Sequence, residues 1–248
     1  MKKLIFILLF DFVSLFASSI NIAVASNVNY AIDELKNEFE KRYPKVKVNV
    51  ILGSSGKLTA QIKHGAPYGV FMSANMEYPE ALFQAKLTQE KPLVYAEGTL
   101  SLLSVKEQKL SEGLKLLEDK KIKRIAIANP KTAPYGKATL QALQNAGIYK
   151  NIESKFIYGE SISTTLSYTI KAADIGIVAS SSLYAKEMKK YKKGRDWVPV
   201  NPNLYTPIKQ GIVLLKTSKN ADTYKKFYDF ILSAKAKEIF KKYGYISL

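Results

Sequence analysis

Val46, Val48 and Val50 alternate with Lys47 and Asn49, and the run continues through Leu52 into Gly53-Ser54-Ser55-Gly56-Lys57-Leu58, where an amphipathic stretch begins. A strand that ends in small and hydroxyl residues and passes at once into a helix is the building step of an α/β fold. It gathers strand ends and helix N-termini at one edge of a sheet, where unpaired backbone N–H groups can seat an anion. Standing alone, such a loop does no more than cap its helix, the ordinary task of a serine before a helix. A functional meaning requires other loops of the same kind aimed at the same place.

The same step recurs along the chain. Ile20–Ala25 reads as a buried strand, Ser26-Asn27 as a helix start, and 28–43 as a helix with an apolar stripe through Ala31, Leu35 and Phe39, stopped by Pro44. Tyr68–Ser73 is a further strand and Glu77–Ala85 a helix, so the first section is βαβαβα and predicts a parallel sheet with ligands at its carboxyl edge. Strands are expected at 93–95 and 100–105, a helix at 109–121, a strand at 124–128, and a helix at 137–146 after the loop Asn129–Gly136. A strand at 154–158, a helix at 164–172, a strand at 175–179 and a helix at 183–190 complete a second α/β section. The tail holds one strand, 211–215, and two helices, 221–233 and 235–243; too small to stand alone, it returns to the first section. The expected plan is two α/β lobes, 20–97 with 208–248 and 98–207, joined by two crossover strands around a hinged cleft.

Composition bounds the setting. At 248 residues with 47% hydrophobic and 24% charged side chains, the chain can bury a real core in each lobe. Lys2-Lys3, the apolar run Leu4–Ala17 and the small residues Ala17-Ser18-Ser19 read as a signal peptide over 1–19. As a helix that run covers only about 21 Å, short of the roughly 30 Å hydrocarbon core, so cleavage rather than anchoring is expected. Cysteine is absent, which leaves no disulfide framework and no thiol for a lipid anchor, and places the mature chain free in the periplasm. The formal charge of +17 falls by one when Lys2, Lys3 and Asp11 leave with the signal. Its lysines are spread over helix faces without interleaved aromatics, which argues for solvated surface and against a nucleic-acid partner.

Four loops share the strand–small residue–helix form: Ala25-Ser26-Asn27, Gly53-Ser54-Ser55-Gly56, Ala133-Pro134-Tyr135-Gly136 and Ser161-Ile162-Ser163. Two fall in each lobe, and strand-end geometry puts all of them on the cleft. Each helix start carries about half a positive charge and free N–H donors, so together they suit a compact dianion without a buried cation.

Ala25-Ser26, Gly53-Ser54-Ser55-Gly56-Lys57-Leu58, Gln61-Ile62, Gly65-Ala66-Pro67, Phe71–Ala74, Asn129-Pro130, Pro134-Tyr135-Gly136, Gly176-Ile177-Val178 and Ala236–Tyr245 follow in an order that resembles the periplasmic molybdate-binding proteins of ABC transporters. The Ser-Ser-Gly-x-Leu, Gln-Ile and Gly-Ala-Pro series is the more specific part; the terminal Ile-Phe-x-x-Tyr-Gly element is shared more widely. The resemblance implies a type II periplasmic binding fold that closes on molybdate or tungstate, with no cofactor, and hands it to an inner-membrane ABC permease. Carried over by position, it assigns the hydroxyls of Ser26 and Ser55 and the backbone N–H groups of Tyr135 and Ile162 to the anion. Ser54 is then the structural neighbour and Gly56 the room for close approach. Many members have a ligand tyrosine directly after Gly-Ile-Val, where this chain has Ala179; Ser180, Ser181, a water or nothing takes that place. Molybdenum or tungsten would be held only as the oxyanion, through the same residues, by a monomer.

Other chemistries find less support. His64 is the only histidine, and without cysteine a metal would rest on carboxylates and tyrosines. The 16 tyrosines allow an iron(III) receptor as an alternative, but no Tyr-Tyr pair occurs. Glu160 before Ser161 could accept the proton of a phosphate, though a solvent-facing place near a helix start suits it better. Lys57 and Lys131 are expected at the rim. No nucleophile has a paired base and no Gly-x-Ser-x-Gly elbow occurs, so the chain reads as a receptor and not an enzyme. Receptors for sulfate or phosphate, and an exported hydrolase or adhesin on a receptor-like fold, are the remaining alternatives.

Overall fold

The computed structural model describes residues 18–216 and 220–246. The expected signal peptide lies outside them except for Ser18 and Ser19, which open the first strand. That strand, β1 (Ser18–Ala25), passes through a 3-10 turn at Ser26–Val28 into α1 (Asn29–Arg42). There follow β2 (Val46–Gly53), α2 (Ser55–Lys63), β3 (Val70–Ser73), α3 (Glu77–Gln84) and β4 (Leu93–Gly98). The second section holds β5 (Leu100–Leu103), β6 (Ile125–Ala128), α4 (Pro134–Asn145), α5 (Tyr149–Ile152), β7 (Phe156–Gly159), α6 (Ile162–Lys171), β8 (Ile175–Ala179) and β9 (Trp197–Pro199). The chain ends with β10 (Ile208–Leu214), α7 (Ala221–Ile231) and α8 (Ala234–Lys242).

Two five-stranded sheets form, in the orders β2-β1-β3-β10-β4 and β7-β6-β8-β5-β9. The two orders are the same pattern. In each, three strands are parallel and one, β10 or β5, lies antiparallel beside the third. The parallel expectation therefore holds for the strands that carry the loops, while β5 and β10, each entering its sheet from the cleft, run the other way. Strand β10 pairs with both β3 and β4, so the tail completes the first sheet.

Each sheet packs its apolar face under helices. In the first lobe, the α1 residues Ala31, Ile32, Leu35 and Phe39 repeat at helical spacing and are buried, with Phe39 edge-on to Phe227 of α7 at 5.1 Å. The second lobe closes over Leu102, Ile125, Ile127, Leu143 and Ile177. Two expected helices differ. Residues 110–118 form 3-10 turns bent at Gly113, whose φ of 59° is outside the helical range, and the segment after β8 splits into turns at Ser180–Tyr184 and Lys186–Met188 around an extended Ala185. Among the described residues no helix is long and apolar enough to cross a membrane.

Candidate oxyanion site

Four helix starts meet at one small cavity between the lobes. Its lining comes from Ser26 and Asn27 after β1, Ser54 and Ser55 at the start of α2, Pro134 and Tyr135 at the start of α4, and Ile162 at the start of α6. Ala25, Gly53, Ala74 and Ala133 fill the gaps between them. The cavity volume is about 10 Å³, roughly the room that a single water needs. No Asp, Glu, Lys, Arg or His is among these residues, so the donors are hydroxyls and first-turn N–H groups that helix geometry leaves without a partner.

The structure brings Ser26, Ser55, Tyr135 and Ile162 together here. Ser55 is fully buried, and its Oγ accepts a hydrogen bond from the Ala74 N–H at 2.9 Å. With that lone pair used, the hydroxyl hydrogen is free to point at the cavity. Ser54 is buried at 4% exposure, its Oγ has no partner among the protein atoms, and it too lines the cavity. Gly56 donates its N–H to the Thr132 carbonyl of the other lobe at 3.0 Å, and a Cβ at Gly56 would sit at that same 3.0 Å from Thr132 O.

Ala179 and Ser180 do not line the cavity. Ala179 ends β8, and Ser180 Oγ is 2.7 Å from Ser101 Oγ, a buried hydroxyl pair within the second lobe. Ser181 Oγ instead reaches across the cleft to donate to the Asn27 carbonyl at 3.1 Å.

Asn27, part of its loop but given no role by sequence, is the residue that reasoning missed. Its side-chain amide is buried and donates to Gln210 Oε1 at 2.8 Å and Tyr245 Oη at 2.9 Å, while its carbonyl accepts from the Tyr245 hydroxyl at 2.9 Å. The peptide that lines the cavity is thereby tied to the crossover strand β10 and to the C-terminal end of the chain. An asparagine following a cavity serine at a helix start was the only available signal. Tyr135 is among the lining residues, while its phenol oxygen is buried against Gly98 at the hinge. Burial pushes the phenols of Tyr135, Tyr95 and Tyr245 up from their ordinary value, so all stay protonated and neutral behind the cavity.

Charged groups stay at the rim. Lys57 Nζ is 2.7 Å from Glu160 Oε1, and Lys137 Nζ is 2.6 Å from Glu77 Oε2, each an exposed ion pair between lobes. The backbone N–H of Lys131 donates to the Asn129 side chain, and His64 Nδ1 lies 2.7 Å from the Ala60 carbonyl on its own helix. Among the described residues no group of three or more His, Cys, Asp or Glu could hold a metal ion.

Comparison with known proteins places the chain in a family. The family described as bacterial extracellular solute-binding protein matches residues 20–246. The molybdate-binding protein ModA of Rhodobacter capsulatus is 35% identical, over 93% of this chain and 89% of its own length. Its counterpart from Azotobacter vinelandii is 34% identical over 92% and 90%. The solved periplasmic molybdate-binding protein of Azotobacter vinelandii superposes with a TM-score of 0.86 at 30% identity, covering 92% of this chain and 99% of that one. A sulfate-binding protein, SubI from Mycobacterium tuberculosis, shares the fold at a TM-score of 0.76 with 12% identity. The chain therefore belongs to the bacterial extracellular solute-binding proteins, within the group of periplasmic molybdate-binding proteins.

Proposed function

We propose that this chain captures molybdate, and tungstate with it, in the periplasm and delivers it to an inner-membrane ABC permease. The observation that carries the reading is the cavity itself: helix starts from both lobes surround it, and no charged side chain lines it. A fully deprotonated tetrahedral dianion offers only acceptors, and such a site offers donors. We assign its contacts to the hydroxyls of Ser26, Ser54 and Ser55 and to the backbone N–H groups of Asn27, Tyr135 and Ile162.

Closure follows from the split of donors. The open chain can present only one lobe's donors to the anion, so the anion favours the closed state by the contacts it gains there. Discrimination against sulfate rests on cavity size, because sulfate has the same charge and shape. Against phosphate it rests on chemistry: near neutral pH that anion keeps a proton, and the cavity has no carboxylate to accept it, Glu160 being paired with Lys57. An iron(III) site of paired tyrosinates finds no support in phenols whose burial keeps them protonated. The chain acts as a monomer, exported by a cleaved signal peptide.

Uptake measured in cells lacking this chain tests the proposal. Accumulation of molybdate from nanomolar medium should fail and recover when the chain is restored. Undiminished uptake without it would contradict the role.

A further inference from the structure

The Ser163 hydroxyl, carried on α6 of the second lobe, donates to the backbone carbonyl of Ser26 in the first lobe at 2.8 Å. A carbonyl can only accept, so the direction of this bond is fixed. That carbonyl belongs to the peptide whose N–H is Asn27's, and both Ser26 and Asn27 line the cavity. The same oxygen also accepts from the Asn29 N–H inside the first lobe. Hydrogen bonds in a chain polarise one another, so a second donor on this oxygen strengthens the N–H at the other end of the peptide.

We propose that Ser163 is a positioning residue that makes the Asn27 N–H a stronger anion donor only when the lobes are closed. Ser163 directly follows Ile162, whose N–H is assigned to the anion, so one helix start both contacts the ligand and tightens the donor facing it. This inference rests on the oxyanion reading of the cavity. A hydroxyl at residue 163 thus couples closure to donor strength. Opening the cleft removes the bond, so its effect falls on release of the anion rather than on its capture.

Ser181 supplies an internal comparison. Its hydroxyl also crosses the cleft, but to the Asn27 carbonyl, which already accepts from Tyr245 and whose peptide N–H belongs to Val28, outside the cavity lining. If the two serines were merely extra closing bonds, their removal would have equal effects.

Stopped-flow and titration calorimetry with molybdate on the mature chain test this. Ser163→Ala should raise the dissociation rate about three- to tenfold with the association rate unchanged, the scale of one neutral hydrogen bond. Ser163→Thr, which keeps the hydroxyl, should stay within about twofold of the unaltered protein, and Ser181→Ala should have the smaller effect of the two alanine variants. In the molybdate-bound protein, the Asn27 amide proton should move upfield in Ser163→Ala and not in Ser163→Thr. An unchanged dissociation rate in Ser163→Ala, equal impairment in Ser163→Thr, or equal effects of Ser163→Ala and Ser181→Ala would each overturn the proposal. Failure of the unaltered protein to bind molybdate would instead overturn the reading of the cavity on which it rests.

Discussion

Gly98 lies directly against the phenol of Tyr135: a Cβ built on Gly98 would come within 2.0 Å of Tyr135 Oη and 3.0 Å of Gln210 Nε2. Gly98 ends the first crossover strand, and Tyr135 stands in the first turn of α4, among the residues that line the cavity. The hinge and a cavity-lining residue are therefore in van der Waals contact. Gly98→Ala must push α4 away from the cleft or keep the lobes apart, at a cost of about 1–3 kcal/mol. Calorimetry should show weaker molybdate binding, and adding Tyr135→Phe, which removes the clashing oxygen, should restore part of it. Wild-type affinity in Gly98→Ala would show that the contact is not kept in the bound state.

Ser26 and Ser55 should separate in their side effects. Each alanine variant should weaken molybdate binding by about 1–3 kcal/mol, the scale of a lost bond to a charged group. Ser55→Ala also strips the partner from the buried Ala74 N–H, so its ligand-free melting temperature should fall while that of Ser26→Ala stays near wild type. Unchanged affinity in both variants would place the site elsewhere.

Asn27 should be the costliest polar residue to change. Asn27→Asp replaces a double donor by an acceptor against Gln210 Oε1, and puts a charge where none is compensated. A loss of about 3–5 kcal/mol in denaturant unfolding is expected near neutral pH. Stability within about 1 kcal/mol of wild type would mean that the buried network reorganises freely.

Lys57 should matter little for affinity. Its bond to Glu160 joins the lobes, but the side chains are 53% and 66% exposed. Lys57→Gln should change molybdate affinity by less than about threefold, and less again at high salt. A larger loss that persists in high salt would make Lys57 a direct ligand.

Asp174 supplies the pH dependence. The hydrogen bond from Lys106, helped by the backbone N–H groups of Lys123 and Arg124, holds its carboxyl down from 3.8 to about 2. A lowered pKa favours the ionised folded form, so this contribution is complete above the unfolded value and is lost as pH falls from about 4 through about 2. Asp174→Asn should melt below wild type near neutral pH, with the gap closing over that acid window. A gap that persists at the acid end would assign the difference to packing.

The sheet plan and the site differ in how far sequence reveals them. Strand alternation, Pro44 and the small residues after each strand are local signals, so the loops at Ser26, Gly53, Pro134 and Ile162 could be read in advance. The division of labour inside them could not. Ser54 and Ser55 are equivalent as letters, and only the position of the Ala74 N–H shows which hydroxyl already has a bond. Asn27 depends on Gln210 and Tyr245, separated from it by 183 and 218 residues, and no local pattern carries such a pairing. The bend at Gly113 and the split after Ser180 were hidden for the opposite reason: both segments have helical composition, and backbone conformation at single residues breaks them.

Isothermal titration of the mature chain with molybdate, tungstate, sulfate and phosphate tests the central claim most directly. The expected result is one molybdate bound per chain, tungstate comparable, and sulfate and phosphate weaker by orders of magnitude. No heat with either metal oxyanion, or a preference for sulfate or phosphate, would contradict it.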